Sequence, residues 1–222
     1  MKNKYFMLVM LQLVLGLLVV SCKKERISAS GNQVSDVRKP GNFTGIRTSG
    51  ATPVFVTYGT EQKVELKGSD NLVSHFKTTL SGNDLVLEYE DNFQVGKDDI
   101  SIFVTLPVFS KLNASGNAQI TVGGNFPEQQ EFALDMSGSG GIKIIGNMKV
   151  LNANAKLAGS GSASLQNLQA TNAVLSITGS GTIRANVTTS LKGSITGSGN
   201  IYYTGNPTVD SSISGSGKIV RD

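Results

Sequence analysis

The feature that most constrains the fold of this 222-residue sequence is a Gly-Ser-Gly tripeptide that recurs through its second half. The tripeptide occupies residues 138–140, 159–161, 179–181, 197–199 and 215–217, and Ala114-Ser115-Gly116 is a weaker earlier copy. The interval between successive copies shortens along the chain, and the last three copies are evenly spaced. Intervals of this order are typical of repeat architectures, in which each unit buries its apolar face against the next unit.

The residues around each tripeptide alternate in a strand-like pattern that continues through the glycines. One copy has Leu175, Ile177, Gly179, Gly181 and Ile183 at every second position. Because successive side chains of a strand point to opposite faces, these residues share one face and the serine lies on the other. Two neighbouring inward glycines leave no side-chain volume, which predicts a corner where the backbone bends and approaches adjacent coils closely. The outward serines are predicted to form one exposed row: Ser115, Ser139, Ser160, Ser180, Ser198 and Ser216.

The segment before these repeats is also strand-like. Short alternating runs at residues 54–58, 85–89 and 100–104 are bounded by Gly, Asn, Asp or Pro, and only residues 70–80 could hold a turn or two of helix. With no tryptophan and 6% aromatic residues, the core is expected to consist of small aliphatic side chains. We therefore predict an all-β fold: a β-solenoid, or β-helix-like stack of Gly-Ser-Gly coils over residues 111–222, preceded by an N-terminal β-rich segment over residues 42–110.

The handedness of the coils is open between two patterns. In the last coils, aliphatic residues recur six positions apart, as at Ile177 and Ile183, which is the pattern of left-handed hexapeptide coils. The intervals between the earlier copies do not follow a six-residue rule throughout, and Thr189 and Pro207 occupy intervening positions. These departures favour a right-handed coil with loosened corners.

The first residues have the pattern of a signal for export and lipidation. Lys2 and Lys4 precede an apolar run over residues 5–20, which is too short for a membrane-spanning helix. The run ends in Leu18-Val19-Val20-Ser21-Cys22, which resembles the lipobox of bacterial lipoproteins. The thiol of Cys22 would then carry a diacylglycerol, and two or more acyl chains hold a protein stably on a membrane.

This reading divides the chain into a signal peptide over residues 1–21, a lipidated Cys22 with a polar, flexible tether to residue 41, and a domain over residues 42–222. Cys22 is the only cysteine, so no disulfide framework is expected. Removing the signal peptide lowers the net charge from +4 to about +2, which argues against nucleic acid as a partner.

Residues for catalysis or metal binding are few. His75 is the sole histidine and Cys22 is committed to lipid, so the sequence predicts no metal site and no cofactor. The acidic residues Glu88, Glu90, Asp91, Asp98 and Asp99 are interpreted as a solvated hairpin rim, with an adventitious calcium site as the alternative. The tripeptide is not a nucleophile elbow, which needs a strand-to-helix turn and a histidine. A β-helix polysaccharide lyase would need carboxylates near a basic catalyst, yet the cations of the coils stand almost without acids: Lys143, Lys149, Lys156, Arg184, Lys192 and Lys218.

These features in this order resemble the "putative auto-transporter adhesin, head GIN domain" family, which is common among lipoproteins of Bacteroidetes. The resemblance runs from about Phe43 to Val220 and rests on FTGIRTSGATPVFVTYG, then VELKGSDNLVSHFKTTLSGNDLVLEY, then the serial Gly-Ser-Gly coils after a lipobox. It implies a β-helix-like domain on the cell envelope with an adhesive or ligand-binding role.

The predicted function is therefore a non-enzymatic binding domain, anchored to the outer membrane by lipid and facing either the periplasm or the exterior. Lys23 follows the cysteine where an aspartate would retain a lipoprotein in the inner membrane of enteric bacteria. Candidate partners are a glycan or a protein of the envelope or host. Candidate aromatic residues for stacking on sugars are Tyr58, Tyr89 and Tyr202. The alternatives are a polysaccharide-acting β-helix enzyme and a purely structural envelope spacer.

Overall fold

The computed structural model describes residues 24–222, which fold almost entirely into β-strands. The first nine strands are β1 Glu25–Ile27, β2 Gln33–Arg38, β3 Gly45–Gly50, β4 Val54–Tyr58, β5 Lys63–Ser69, β6 Phe76–Ser81, β7 Asp84–Tyr89, β8 Phe93–Val95 and β9 Ser101–Leu106. The others are β10 Lys111–Gly116, β11 Gln119–Gly123, β12 Gln129–Gly138, β13 Gly141–Ile144, β14 Met148–Gly159, β15 Ser162–Gly179, β16 Thr182–Gly197, β17 Asn200–Thr204, β18 Thr208–Gly215 and β19 Lys218–Arg221. A single helical turn, α1 Asp70–Val73, follows β5. The all-β prediction is confirmed.

Parallel pairing between strands one repeat apart stacks the chain into the coils of a β-solenoid. One ladder runs through β10, β12, β14, β15, β16 and β18, and its register aligns the first glycine of every tripeptide. A second ladder runs through β11, β13, β15, β16, β17 and β19. The predicted β-solenoid is thereby confirmed, and the handedness of its coils stays a prediction.

The N-terminal segment belongs to this stack and does not simply precede it. β3 lies between β7 and β10, and β4 lies between β9 and β11, all in parallel. The coil formed by β3 and β4 therefore lies between two coils that come later in the chain. One contains β7 and β9, and the other is the first repeat coil, which contains β10 and β11. Except for β1 and β8, all of the described strands share one 17-stranded sheet. The division at residue 110 is therefore a change of sequence pattern and not a structural boundary.

Antiparallel strands cover the N-terminal end of the stack. β5 pairs with β9 and β2 pairs with β5, while β6 pairs with β7. Unpaired strand edges are prone to association, and these added strands occupy the edges of the first coil. Leu72 and Val73 of α1 are buried beneath the same end. The helical turn predicted within residues 70–80 is confirmed, and the rest of that segment enters β6.

The flexible tether predicted for residues 22–41 is wrong for the part that the structure describes. β1 pairs with β8, and β2 pairs with β5 from Val64 to Ser69. Arg38 donates hydrogen bonds to the carbonyl oxygens of Val73, at 2.9 Å, and Phe76. These strands form an outer layer with mostly exposed side chains, so they lack the apolar alternation by which strands are recognised in a sequence.

The inward phase of the repeats forms the core as predicted. Leu175, Ile177, Ile183 and Ile195 are buried in the stack of coils. The last copy differs. Ile213 pairs in register with the buried Ile195 but is 44% exposed, because no described strand covers β18. None of the helices within residues 24–222 combines the length and apolarity that crossing a membrane requires.

The predicted glycine corner is present, and its two glycines differ in backbone conformation and in burial. The first glycine of each copy has a positive φ, and Gly179, with φ 121°, is half-buried at the bend. The second glycine of that copy, Gly181, is fully buried against the preceding coil. Ser139, Ser160 and Ser180 between the glycines of their copies are exposed, as the alternation predicted.

The register corrects the earliest copy. Gly116, not Ala114, aligns with Gly138, so the corner of this coil is Gly116-Asn117-Ala118. Ser115 pairs with Ser137 and lies outside the serine row. The tripeptide Ala114-Ser115-Gly116 was a misleading match because the coils align at the glycine with a positive φ, which is Gly116 with φ 79°. The residues beside that glycine do not determine the alignment.

Candidate functional site

An open groove of about 500 Å³ crosses five neighbouring strands at a second corner of the coils, away from the glycines. We call it the corner groove. Its first side is a row with one residue from each of β12, β14, β15, β16 and β18: Glu131, Asn152, Asn172, Ser190 and Thr208. Its second side is the row two residues further along the same strands: Ala133, Asn154, Val174, Lys192 and Asp210. The groove therefore runs along the solenoid axis, at right angles to the strands.

The local sequence creates the groove by a break in the alternation. Leu151 and Asn152 are consecutive exposed residues, and Ala153 then returns to the core. The β15–β16 register also shifts between Ala170 and Asn172, because β16 has one more residue than β15 over this interval. Between the two rows, the inward positions include the small residues Ala153 and Ala173. The groove lies between the two outward rows, above these buried residues.

The centre of the first row is a chain of hydrogen bonds between side chains of successive coils. Asn172 Nδ2 donates to Asn152 Oδ1 at 3.2 Å, and Ser190 Oγ donates to Asn172 Oδ1 at 2.8 Å. These bonds hold the two amide groups in fixed orientations at the mouth of the groove. A polar row whose geometry is already fixed loses less conformational entropy when it binds a ligand.

The charged residues of the groove lie toward its ends. Glu131 lies on the first strand, and Lys192 and Asp210 lie on the last two, where they are neighbours in register. The intervening side chains are amides, a hydroxyl and aliphatic groups. The groove thus presents an uncharged central part.

The three candidate tyrosines lie apart from one another, and none lines the corner groove. Tyr58 is 39% exposed and its ring meets Phe126 edge-on at 5.7 Å. The hydroxyl of Tyr89 donates to Asp98 at 2.7 Å, and burial together with this bond raises the pKa of the Tyr89 phenol. The guanidinium carbon of Arg184 lies over the aromatic ring of Tyr202, 4.6 Å from the centre of that ring. Cys22 lies outside the described residues.

Four of the five acidic residues predicted as a hairpin rim, Glu88, Glu90, Asp91 and Asp98, border a second depression of about 450 Å³ beside Tyr89. Most of them are engaged with protein groups. Glu88 forms an ion pair with Lys77 at 3.2 Å, and Glu90 lies 3.1 Å from Nδ1 of His75. The backbone N–H and the hydroxyl of Ser69 lower the pKa of Asp99 by donating to it. Within residues 24–222 no three His, Cys, Asp or Glu side chains are grouped as a metal ion would require.

Two cations of the coils have acidic neighbours that the sequence reading overlooked. Lys156 pairs in register with Asp135, and Lys192 pairs in register with Asp210. The members of each pair are a full coil apart in the chain, so only the coil register brings them onto adjacent strands. At these two positions, the prediction that the cations of the coils have almost no acidic neighbours is wrong.

A β-solenoid with an open groove across its coils belongs to the class of extended repeat scaffolds. Residues 42–207 match the family described as "Putative auto-transporter adhesin, head GIN domain". The chain belongs to this family, as its resemblance predicted. Adhesin-like proteins of this kind are proteins of the cell envelope or surface. Among curated proteins none matches the chain.

Several solved structures share the fold. A putative adhesin from Bacteroides fragilis is 22% identical, with a TM-score of 0.73 over 88% of this chain and 100% of its own. A putative lipid binding protein from Parabacteroides distasonis is 22% identical, with a TM-score of 0.56 over 89% and 100%. A putative adhesin from Parabacteroides merdae is 15% identical, with a TM-score of 0.57 over 89% and 99%. At these identities the likeness shows the fold alone.

The corner groove was missed by the sequence reading, although a signal for it exists. Asn152, Asn172 and Ser190 follow one another at the same intervals as the tripeptides that begin at positions 159, 179 and 197. Each of the three directly precedes an inward residue. Aligning the chain by its glycines would have placed these polar residues in one row. The register shift between Ala170 and Asn172 has no comparable signature, because no glycine or proline lies at residues 170–172 or 187–190.

Proposed function

We propose that this protein is a non-enzymatic binding protein of the cell envelope, anchored to the outer membrane through lipid on Cys22, which holds a glycan or an envelope or host protein in its corner groove. The observation that supports this most is the groove itself, which crosses five strands and is lined by ordered amide and hydroxyl groups. A site of this length suits an extended ligand better than a small metabolite.

The arrangement of acids in the groove favours binding over hydrolysis. Glycosidases use two carboxyl groups about 5–9.5 Å apart across the scissile bond. Glu131 and Asp210 are separated by four strand spacings, which amounts to about 19 Å. The two carboxylates of the corner groove are thus too far apart to act as an acid and base pair.

A first test addresses anchoring. In the full chain, Cys22→Ala should abolish incorporation of an alkyne-tagged fatty acid, because no other thiol is available for acylation. The matched control adds Lys24→Cys to that variant, which restores a thiol at a nearby position outside the lipobox, and it too should stay unlabelled. Label retained in Cys22→Ala would contradict lipidation at this residue.

A second test addresses function. The fragment 23–222 keeps every described strand and the whole described core, so it retains the binding surface without the anchor. On a glycan array and against solubilised envelope fractions it should bind at least one partner saturably, with no release of sugar or ester products. Product release that survives repurification and disappears on replacing a carboxylate would identify an enzyme instead.

A further inference from the structure

We propose that the corner groove is a binding site for an uncharged, linear polysaccharide whose chain lies along the solenoid axis. This inference rests on the proposed function and adds the class of ligand and its orientation. It is carried by the spacing, the hydrogen-bonding capacity and the charge of the two rows that line the groove.

The spacing of the polar groups fits a chain of sugar units. Asn152, Asn172 and Ser190 come from consecutive strands of one parallel ladder. Neighbouring strands lie about 4.8 Å apart, so the row repeats its polar groups at that interval. One unit of an extended hexose chain advances by a similar length. A linear polysaccharide along the axis would therefore present one unit to each coil.

The amide row keeps hydrogen-bonding capacity for a ligand. Each amide nitrogen carries two hydrogens, and Asn172 uses one of them in its bond to Asn152. The second hydrogen of Asn172 remains, and the oxygen of Ser190 can still accept a bond after donating its own hydrogen. Sugar hydroxyl groups both donate and accept, so they match such a mixed row.

The second row offers apolar contact beside these polar groups. Val174 is 46% exposed at the centre of the second row, and the half-buried Ala133, two strands away in the same row, adds a small apolar surface. The C–H faces of sugar rings pack on surfaces of this kind. The charged residues of the groove are one acid on β12, a lysine on β16 and an acid on β18. The groove therefore has no concentration of cations that would select an anionic chain.

The direction of the groove disfavours an extended peptide. Peptides most often bind β-structure by adding a strand to an open edge, where backbone groups are free. Along the groove, the backbones of β14, β15 and β16 are already paired with the coils on both sides. A ligand in the groove can therefore contact only side chains, and the rows of these side chains run at right angles to the strands.

The experiment measures binding of the fragment 23–222 to three classes of probe by affinity electrophoresis and calorimetry. The first class consists of neutral linear glucans, mannans and xylans, the second of polygalacturonate and alginate, and the third of solubilised outer-membrane protein. We expect saturable binding to at least one neutral polysaccharide. Raising the salt concentration about tenfold, to about 0.5 M, should leave that binding nearly unchanged, because screening weakens only charged contacts.

Paired variants locate the site. Removing two amides with Asn152→Ala and Asn172→Ala together should weaken binding at least about tenfold, the loss expected from one or two hydrogen bonds. The matched control removes two amides from the other ladder, Asn186→Ala with Asn200→Ala, and should bind as the unchanged fragment does. Should the double groove variant misfold, Val174→Lys places a long side chain over the groove from an exposed position, with Val220→Lys as its control.

The outcomes separate the two proposals. Binding confined to anionic polysaccharides or to protein would overturn the assignment of a neutral glycan and leave the binding function standing. Equal loss in the groove variants and their controls, or no loss in either, would also overturn the assignment. Absence of binding to all three classes would overturn the proposed function as well.

Discussion

Replacing Gly179 by valine should lower the free energy of unfolding of the fragment 23–222 by about 2–6 kcal/mol. Two costs add at this position. Gly179 has φ 121°, which strains any residue with a β-branched side chain. A Cβ atom at this residue would also lie 2.6 Å from the carbonyl oxygen of Gly159 in the preceding coil, and backbone cannot move aside as a flexible side chain could.

Gly181→Val separates the steric cost from the backbone cost. Gly181 lacks a positive φ, but its Cβ would lie 2.8 Å from the carbonyl oxygen of Gly161 and 2.5 Å from Leu157 Cδ2. We expect a smaller loss of about 1–3 kcal/mol from overpacking. Ser180→Ala, between the two glycines and exposed, is the control and should stay within about 0.5 kcal/mol. Urea unfolding of each variant gives the comparison. A Ser180→Ala variant as damaged as Gly179→Val would contradict the stacked corner.

The second large effect is expected in the aliphatic column of the core. Ile177→Ala or Ile195→Ala should cost about 2–5 kcal/mol, because each side chain is buried in the stack and its removal leaves a cavity. Ile213→Ala is a control built into the repeat, since Ile213 occupies the equivalent position of the last described coil and is 44% exposed. It should cost well under half as much.

Amide hydrogen exchange on the same variants tests how the loss spreads. In a solenoid each coil contacts only its neighbours, so exchange in Ile177→Ala should accelerate first in β14, β15 and β16. Uniform acceleration that includes β2 and β5 would indicate a globally cooperative domain instead. Equal destabilisation by Ile195→Ala and Ile213→Ala would contradict the burial difference between the last two coils.

The repeat made much of this fold predictable. The alternation around Gly179 and Gly181 predicted the inward column, the exposed serine and the corner, because strand geometry leaves few other readings. The register of the earliest coil was misjudged because Ala114-Ser115-Gly116 looks like the tripeptide, whereas the positive φ belongs to Gly116. Sequence similarity cannot reveal which residue carries the bend when a copy has diverged.

Other features depend on contacts that are distant in the chain. β2 is held by its ladder with β5 and by Arg38, and its exposed side chains carry no apolar pattern. The insertion of the β3 and β4 coil between later coils reverses chain order, which no local pattern encodes. The corner groove depends on the coil register, which includes a shift beside Asn172. Its polar row could have been found from the repeat, but its depth could not.

Because ligand binding is assigned to one surface, the most direct measurement is a map of where the ligand contacts the fragment 23–222. Methyl-labelled alanine, valine, leucine and isoleucine give signals on both ladders. During titration with the tightest-binding neutral polysaccharide of the panel, we predict that the shifted methyl signals include Ala133, Ala173 and Val174. Signals of Ile120 and Ile201, on the other ladder, should stay in place. Saturation with shifts on that ladder and none in the corner groove would contradict the account.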